Sequence, residues 1–386
     1  MKTQRKLKRG IGILFLCGLA FTAVLCRKSE QPPPTSYQNS RYYTPVPVDP
    51  SRLVQAEYPR NLILLIGDGM GVSHITAALT ANKGRLNLEH LRHVGLTRTQ
   101  SLNRYVTDSG SAATAIASGV KTFDRAVGVG PDSQAVMTIL QMAHARGLAT
   151  GLVATSTITH ATPAAFIAHQ ISRDDQEAIA ADFLDTRIDV FIGGGRKYFT
   201  ERGDGRNLVR ELEERGYTVL ESLDAADSVL SGPLAVFTSE DGNPRVPERG
   251  DLLPRATATA LRLLSCNPNG FFLMVEGSYI DGGGHDNDTG RIVDEMLDFD
   301  RAVGEALAFA EKDGNTLIVA ASDHETGGMA LADGSFAEGR VEAAYTSGNH
   351  TGVMVPLFAA GPKAALFIGI YENTGIFDRM TEALGF

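Results

Sequence analysis

The segment Met274-Val275-Glu276-Gly277-Ser278-Tyr279-Ile280-Asp281-Gly282-Gly283-Gly284-His285 concentrates oxygen and nitrogen donors next to a turn. The apolar run Phe271–Val275 predicts a strand that delivers the Glu276 carboxylate to the edge of a sheet. The glycine-rich turn then presents Asp281 and His285 at i, i+4. That spacing places both on one face of a helical turn and suits two ligands of one cation. Taken alone, Glu276 also reads as a lone surface acid.

Two more predicted strands run into acids, at Ile66-Gly67-Asp68 and Ala321-Ser322-Asp323-His324. In open α/β sheets ligands bind beyond the carboxyl ends of the strands. Three carboxylates delivered to one such edge repel unless cations neutralise them. The loop Gly67-Asp68-Gly69-Met70-Gly71 lacks G-x-G-x-x-G spacing, and its Asp would repel a pyrophosphate. Asp68 therefore reads as a cation ligand; the alternative is a helix N-cap for the segment from Val72. Asp323 and His324 are adjacent, so both turn inward only from a loop past the strand.

Ser109, in Thr107-Asp108-Ser109-Gly110-Ser111-Ala112-Ala113-Thr114-Ala115, stands where a helix of small residues starts. It reads either as the N-cap or as a nucleophile at a helix N-terminus, whose dipole favours an arriving phosphate. No G-x-S-x-G elbow is present, so a metal would have to activate this serine. Thr159-His160-Ala161-Thr162-Pro163-Ala164-Ala165-Phe166 is a second helix start, with Pro163 at the first position and Thr162 as cap. Arg173 lies about three turns along, so one predicted helix would supply a hydroxyl and a guanidinium to one cleft. A solvated surface arginine is the alternative. His350 gains meaning as a third ligand for the Asp281–His285 pair. His74, His90, His93, His144 and His169 lack such context and read as structural or surface residues.

These groups need a scaffold. Six short apolar runs, Asn61–Ile66, Ala149–Ala154, Val190–Ile192, Phe271–Val275, Thr316–Ala320 and Val355–Ala359, predict buried strands of a largely parallel sheet. Helical patterns alternate with them, clearest over Asp294–Phe309. Gly232–Asp251, with its prolines and charges, predicts an irregular surface excursion. No internal repeat is found.

The first 26 residues combine a basic start (Lys2, Arg5, Lys6, Lys8, Arg9) with an apolar run from Gly10 to Leu25, the layout of a secretory signal. Cys26 is placed for attachment of a lipid anchor, although Leu25 is larger than the residue such signals prefer. A plain secreted protein and an uncleaved N-terminal anchor are the other readings. All three put the domain outside the cytoplasm, periplasmic or membrane-anchored. Residues 27–58 read as a disordered tether rich in Pro, Ser, Gln and Tyr, and residues 59–386 as one α/β domain. With Cys17 and Cys26 in the signal, Cys266 stands alone and no disulfide is expected. The chain carries a net charge of −9, or about −14 once the five basic signal residues are removed from that figure. This argues against nucleic acid or an anionic membrane as a specific partner and requires local cations to attract an anionic substrate.

These motifs together resemble the alkaline phosphatase family. The resemblance runs from about Asn61 to the last predicted strand, through the Asp68 loop, Thr-Asp-Ser-x-x-x-Ala-Thr-Ala, His-Ala-Thr-Pro-Ala-Ala, Glu-Gly-x-x-Ile-Asp-x-x-x-His, Asp-His-Glu-Thr-Gly-Gly and Asn-His-Thr-Gly. It implies a three-layer α/β/α sandwich with a central, mostly parallel sheet. It also implies hydrolysis of small phosphate monoesters to inorganic phosphate through a phosphoserine on Ser109. By the same resemblance Arg173 clamps phosphate oxygens and Asp108 orients it. The cofactors implied are two zinc ions and one magnesium. Asp281, His285 and His350 would hold one zinc, and Asp68, Asp323 and His324 the other. Asp68, Thr162 and Glu276 would hold the magnesium, with His160 just outside. A homodimer is an assembly the resemblance allows.

Three departures stand out. Some bacterial members have an acid in place of His160, and an imidazole there should weaken magnesium. Gly282 stands where members often carry Lys, His or Trp near the phosphate, so Gly282→Lys is expected to tighten phosphate inhibition. Only 25 residues separate His324 from His350, too few for the extra surface domain of larger relatives, which implies a more open site. A phosphodiesterase, a sulfatase, or a metal-binding surface lipoprotein without turnover are the competing readings.

Overall fold

The structure, a computed structural model, describes residues 34–386. The expected signal, Cys26 and the start of the expected tether lie outside the described residues. Among the described residues, no helix is long and apolar enough to cross a membrane.

A ten-stranded sheet forms the middle layer. Its spatial order is Gly369–Glu372, His93–Arg98, Val355–Ala360, Thr316–Ala321, Asn61–Gly67, Phe271–Gly277, Ala149–Thr157, Val190–Gly194, Leu234–Phe237 and Thr218–Leu220. Only Val355–Ala360 runs against the others. All six predicted strands are present. Their unbroken apolar runs arise because both faces are covered. In Asn61–Gly67, Ile63 and Leu65 enter one apolar layer and Leu62, Leu64 and Ile66 the other. The helix predicted over Asp294–Phe309 extends over Thr289–Asp313 and packs its apolar face into the first layer. The expected α/β/α sandwich is the observed fold.

Two boundaries need correction. Leu234–Phe237, inside the predicted irregular excursion, is a fully buried parallel strand between Val190–Gly194 and Thr218–Leu220. Four residues suffice for it because both neighbours pair with it. The tether also ends earlier than position 58. Thr35–Gln38 pairs antiparallel with Arg340–Tyr345. The Tyr37 hydroxyl donates to Asp294 at 2.7 Å, and Tyr43 donates to the buried Asp300. Tyr37, Tyr43, Val46 and Val48 pack on the core, so this stretch is part of the fold.

Register decides what the sheet presents. Ile66 lies opposite both Glu276 and Ala321, and Glu276 also faces Ala154. Glu276 thus ends its strand level with the last residues of its neighbours. Asp68 and Asp323 each follow two residues beyond that level.

Candidate active site and metal centre

The acids converge as the strand ends require. Asp68, Glu276, Asp323 and His324 are all fully buried. The loop that carries Asp68 owes its shape to Gly69, at φ +78°, where a Cβ would come within 2.7 Å of the Asp281 backbone. The Gly69 amide donates to Asp323 at 3.1 Å and locks the loop onto the next acid. Asp68 caps nothing: the helix Val72–Ala81 has Gly71 at its N-cap, and both Asp68 carboxylate oxygens lack a hydrogen-bond partner.

Ser109 is the first residue of the helix Ser109–Ser118, and Asp108 is its N-cap. The Asp108 carboxylate accepts from the amides of Gly110 and Ser111, from the Ser111 hydroxyl and from the Arg125 amide. Capping by Asp108 leaves Ser109 free of that duty, and its Oγ lies 3.3 Å from His324 Nε2. Arg173 Nη1 donates to Asp108 at 2.9 Å, and its Nη2 sits 2.9 Å from His160 Nε2. Burial works against ionisation of Asp108, yet Arg173 and the surrounding donors hold its carboxyl well below the ordinary range.

Arg173 reaches this place differently from the expectation. The helix after His160 spans only Ala161–Ala164, so Thr162 and Arg173 do not share one. Chain reversal through Gln170, which pairs with Val127, carries Arg173 to a loop anchored by its amide on Arg125 O. Thr162 is not a cap either; His160 holds that position, and the Thr162 hydroxyl is buried without a partner.

Three imidazoles point the same ring nitrogen inward. His350 Nδ1 contacts Thr107 O at 2.8 Å and His285 Nδ1 contacts Gly348 O at 2.9 Å. Each therefore turns Nε2 toward Asp281, at 3.4 and 3.3 Å. His324 Nδ1 faces the Thr326 hydroxyl, and its Nε2 faces Asp68 and Asp323 at 3.5 and 3.3 Å. Backbone anchoring of one ring nitrogen so that the other is free is how ligating histidines are oriented.

The donors form three overlapping groups: Asp281, His324 and His350; Asp68, Asp323 and His324; and Asp68, His160 and Glu276. Set against the expected ligand sets, His324 belongs to two of the groups, and His285 lies outside all three, 3.3 Å from Asp281. His160, expected outside the third site, has Nδ1 3.5 Å from Glu276 and stands among its donors.

The residues fit cations. Asp68 Oδ1 and Oδ2, Asp323 Oδ2, Glu276 Oε1, Thr162 Oγ1 and His160 Nδ1 are buried with no hydrogen-bond partner. Unpaired buried acceptors of this kind are costly. Burial, together with Asp323, Asp281 and Glu276, pushes the Asp68 carboxyl well up. Burial and Asp281 push Asp323 up to about 6. His324 is driven well down by burial and by His350, whose ring stacks on it at 3.6 Å. The hydrogen bond that His285 donates to Asp281 raises its imidazole to about 9. Buried acids pushed toward neutrality beside an imidazole held in its neutral form are what a divalent ion would relieve.

Above these groups opens a cleft of about 510 Å³ lined by Ser109, Arg173, Asp281, His285 and His350. A larger cavity of about 620 Å³ lies at the opposite edge, by Asn61, Leu261 and Phe309, with no comparable donor cluster among the described residues.

Several participants carry no signal in the sequence. The Thr326 hydroxyl donates to Asp281 at 2.5 Å, and the Ser278 hydroxyl to Glu276 at 2.6 Å. His74, read above as structural, is buried and accepts from the Gly71 amide at 2.9 Å, pinning the end of the Asp68 loop. Only their nearness to the ligand motifs could have flagged them.

Comparison with known proteins gives one consistent result. Residues 59–339 match the alkaline phosphatase family model. The chain is 35% identical to alkaline phosphatase 3 of Bacillus subtilis, with 84% of this chain and 89% of that protein covered. It is 34% identical to the alkaline phosphatase of Escherichia coli, with 84% and 86% covered. The alkaline phosphatase of the Antarctic bacterium TAB5 superimposes with a TM-score of 0.82 at 40% identity, over 85% of this chain and 99% of that one. A structure of a variant of that enzyme has magnesium bound in its M3 site.

Proposed function

This chain belongs to the alkaline phosphatase family of phosphoric monoester hydrolases, and on that premise we propose that it acts through a phosphoserine on Ser109 with bound zinc and magnesium. The observation that carries this reading is the convergence of an uncapped serine hydroxyl, a guanidinium and buried, unpartnered ligand atoms on one cleft.

Asp281, His285 and His350 would hold one zinc, Asp68, Asp323 and His324 the second, and Asp68, Thr162 and Glu276 a magnesium with His160 beside it. When bound, these cations supply Lewis-acid polarisation of the serine and leaving oxygens and neutralise phosphate charge.

The chain's own groups do the positioning. Arg173, held by Asp108, offers two N–H groups to phosphate oxygens. The amino end of the helix Ser109–Ser118 adds a favourable dipole for the anion. Ser109 Oγ then attacks phosphorus as the ester P–O bond breaks and the alcohol leaves. Water cleaves the phosphoserine in a second displacement, restoring the hydroxyl and freeing inorganic phosphate. Because recognition centres on the phosphate, the substrates are small monoesters with little leaving-group selection.

Export belongs to the same reading, on the strength of the basic and apolar segments before Cys26. Metabolic labelling with a radioactive fatty acid, in the parent and in Cys26→Ala, tests the lipid anchor.

Metal analysis of the purified protein, with p-nitrophenyl phosphate assays before and after chelation, tests the central claim. Activity that disappears with zinc and returns with it is expected. A metal-free enzyme at full activity would overturn it. Ser109→Ala should bind phosphate while losing turnover, and comparison with the bis ester and the sulfate sets the monoesterase reading against its competitors.

A further inference from the structure

Arg291 occupies the space that a side chain at position 282 would fill. It belongs to the first turn of the helix Thr289–Asp313, which Asp288 caps. Its side chain folds back over the helix Ile280–His285, where Nη1 donates to Gly282 O at 2.9 Å and to Asp286 at 2.5 Å. A Cβ built on Gly282 would collide with this guanidinium, only 2.7 Å from its Cζ. Asp286 is shared with Arg245 at 3.1 Å, so Arg291 is not its sole counter-charge. Among the described residues, Arg291 Nε is buried with no acceptor.

The guanidinium borders a side cleft of about 400 Å³, with Ser156, His160, Tyr279, Asp281 and Gly282. Asp241 also lines it and is paired with Lys197 at 2.5 Å. Two residues join this cleft to the phosphate cleft. Asp281 lines both, and His160 contacts Arg173.

We propose that Arg291 is a second, phosphate-directed cation of this active site, delivered from a neighbouring helix through the gap that Gly282 leaves. The proposal rests on the phosphatase reading above and assigns Arg291 a positioning role, acting on phosphate through intervening water. It also revises the expectation for Gly282→Lys. A lysine there must first displace Arg291, so the single change exchanges one positive charge for another and phosphate inhibition should hardly move.

The test is made on the zinc- and magnesium-loaded enzyme, with phosphate affinity read by calorimetric titration and by competitive inhibition. Arg291→Gln keeps a donor for Gly282 O but removes the charge. It should weaken phosphate binding and raise KM together, on the order of three- to tenfold for one partly screened charge, with kcat and metal content unchanged. Gly282→Lys in the Arg291→Gln background should restore phosphate affinity, because charge returns from a different backbone position. Unchanged phosphate affinity in an active Arg291→Gln enzyme overturns the proposal. So does a weakening that comes with loss of zinc and is not rescued by Gly282→Lys, since Arg291 would then only pin the Asp281–His285 helix. If Arg291→Gln fails to fold, Arg291→Lys takes its place, with near-parental affinity expected and a full loss overturning the idea. A parent enzyme that hydrolyses no phosphate ester defeats the phosphatase reading itself, a separate result.

Discussion

Ser109 Oγ and His324 Nε2 lie 3.3 Å apart, and the same nitrogen faces Asp68 and Asp323 at 3.5 and 3.3 Å. A serine beside an imidazole invites a general-base reading, and the geometry argues against it. In a Ser-His-Asp arrangement the acid holds the ring nitrogen opposite the serine. Here both acids crowd the nitrogen that meets the serine, while Nδ1 faces only the Thr326 hydroxyl at 3.3 Å. Four electron-rich atoms aimed at one point describe a cation's coordination shell.

The two readings part at His324→Ala. A lost ligand should leave the purified protein with about one zinc fewer and turnover lower by about three orders of magnitude, the scale of several kcal/mol of Lewis-acid stabilisation. Elemental analysis beside the rate measurement decides it. A variant with full metal content and no activity would return the base reading.

Asp108 joins helix capping to the placement of Arg173, since one carboxylate serves the amides of Gly110 and Ser111 and the Arg173 guanidinium. Asp108→Ala should cost about 0.5–2 kcal/mol of stability as a lost cap. It should also raise KM roughly tenfold as Arg173 loses its charged partner. Thermal unfolding and steady-state kinetics on one preparation separate the effects. A stability loss with unchanged KM would mean that Arg173 is oriented by His160 and its backbone alone.

The sequence made the chemistry more legible than the connections. Ligand types are constrained by what cations accept, and acids at strand ends announce themselves, so Asp68, Glu276, Asp281 and Asp323 can be read directly. The path of Arg173 cannot, because Pro163 and its alanines look the same at the start of a long helix as in the four-residue turn found here. Leu234–Phe237 was hidden for a related reason. A strand buried between two others needs only four apolar residues, and its flanking proline and charges dominate the local pattern.

The N-terminal segment gave a third misreading, and it leads to a prediction. Residues 35–49 look like a linker because they lack periodicity, yet single side chains tie them down. Tyr37 packs where a Cβ on Gly290 would approach to 2.9 Å, Thr35 and Thr289 share a hydrogen bond of 2.5 Å, and Tyr43 covers Asp300. Relative to a chain starting at Pro34, one starting at Pro50 should lose on the order of 2–5 kcal/mol, from uncovered apolar surface and the opened Asp300 site. Denaturant unfolding of the two chains checks this, and equal midpoints would restore the tether boundary near position 58.

The last prediction concerns a buried charge cluster beneath Tyr279, whose ring Arg249 approaches at 5.7 Å. Arg249 is nearly inaccessible and binds both Glu295, at 2.6 Å, and Asp298, at 2.7 Å. Two acids share one guanidinium, and Asp298 Oδ1 has no partner. Burial, only partly offset by Arg249, raises the Asp298 carboxyl to about 6. A carboxyl raised on folding holds its proton more tightly in the native state, so its contribution to stability falls as pH rises from about 4 to about 6. Above that window the full cost is present; below it the cost vanishes. Asp298→Asn cannot titrate and leaves Arg249 paired with Glu295. Relative to the parent, the variant should therefore gain on the order of 2–3 kcal/mol between pH 4 and pH 7. Comparing parent and variant at each pH cancels the effect of metal loss in acid, which acts on both. Unfolding free energies that run parallel across the window would show that Asp298 stays ionised throughout, with Arg249 outweighing burial.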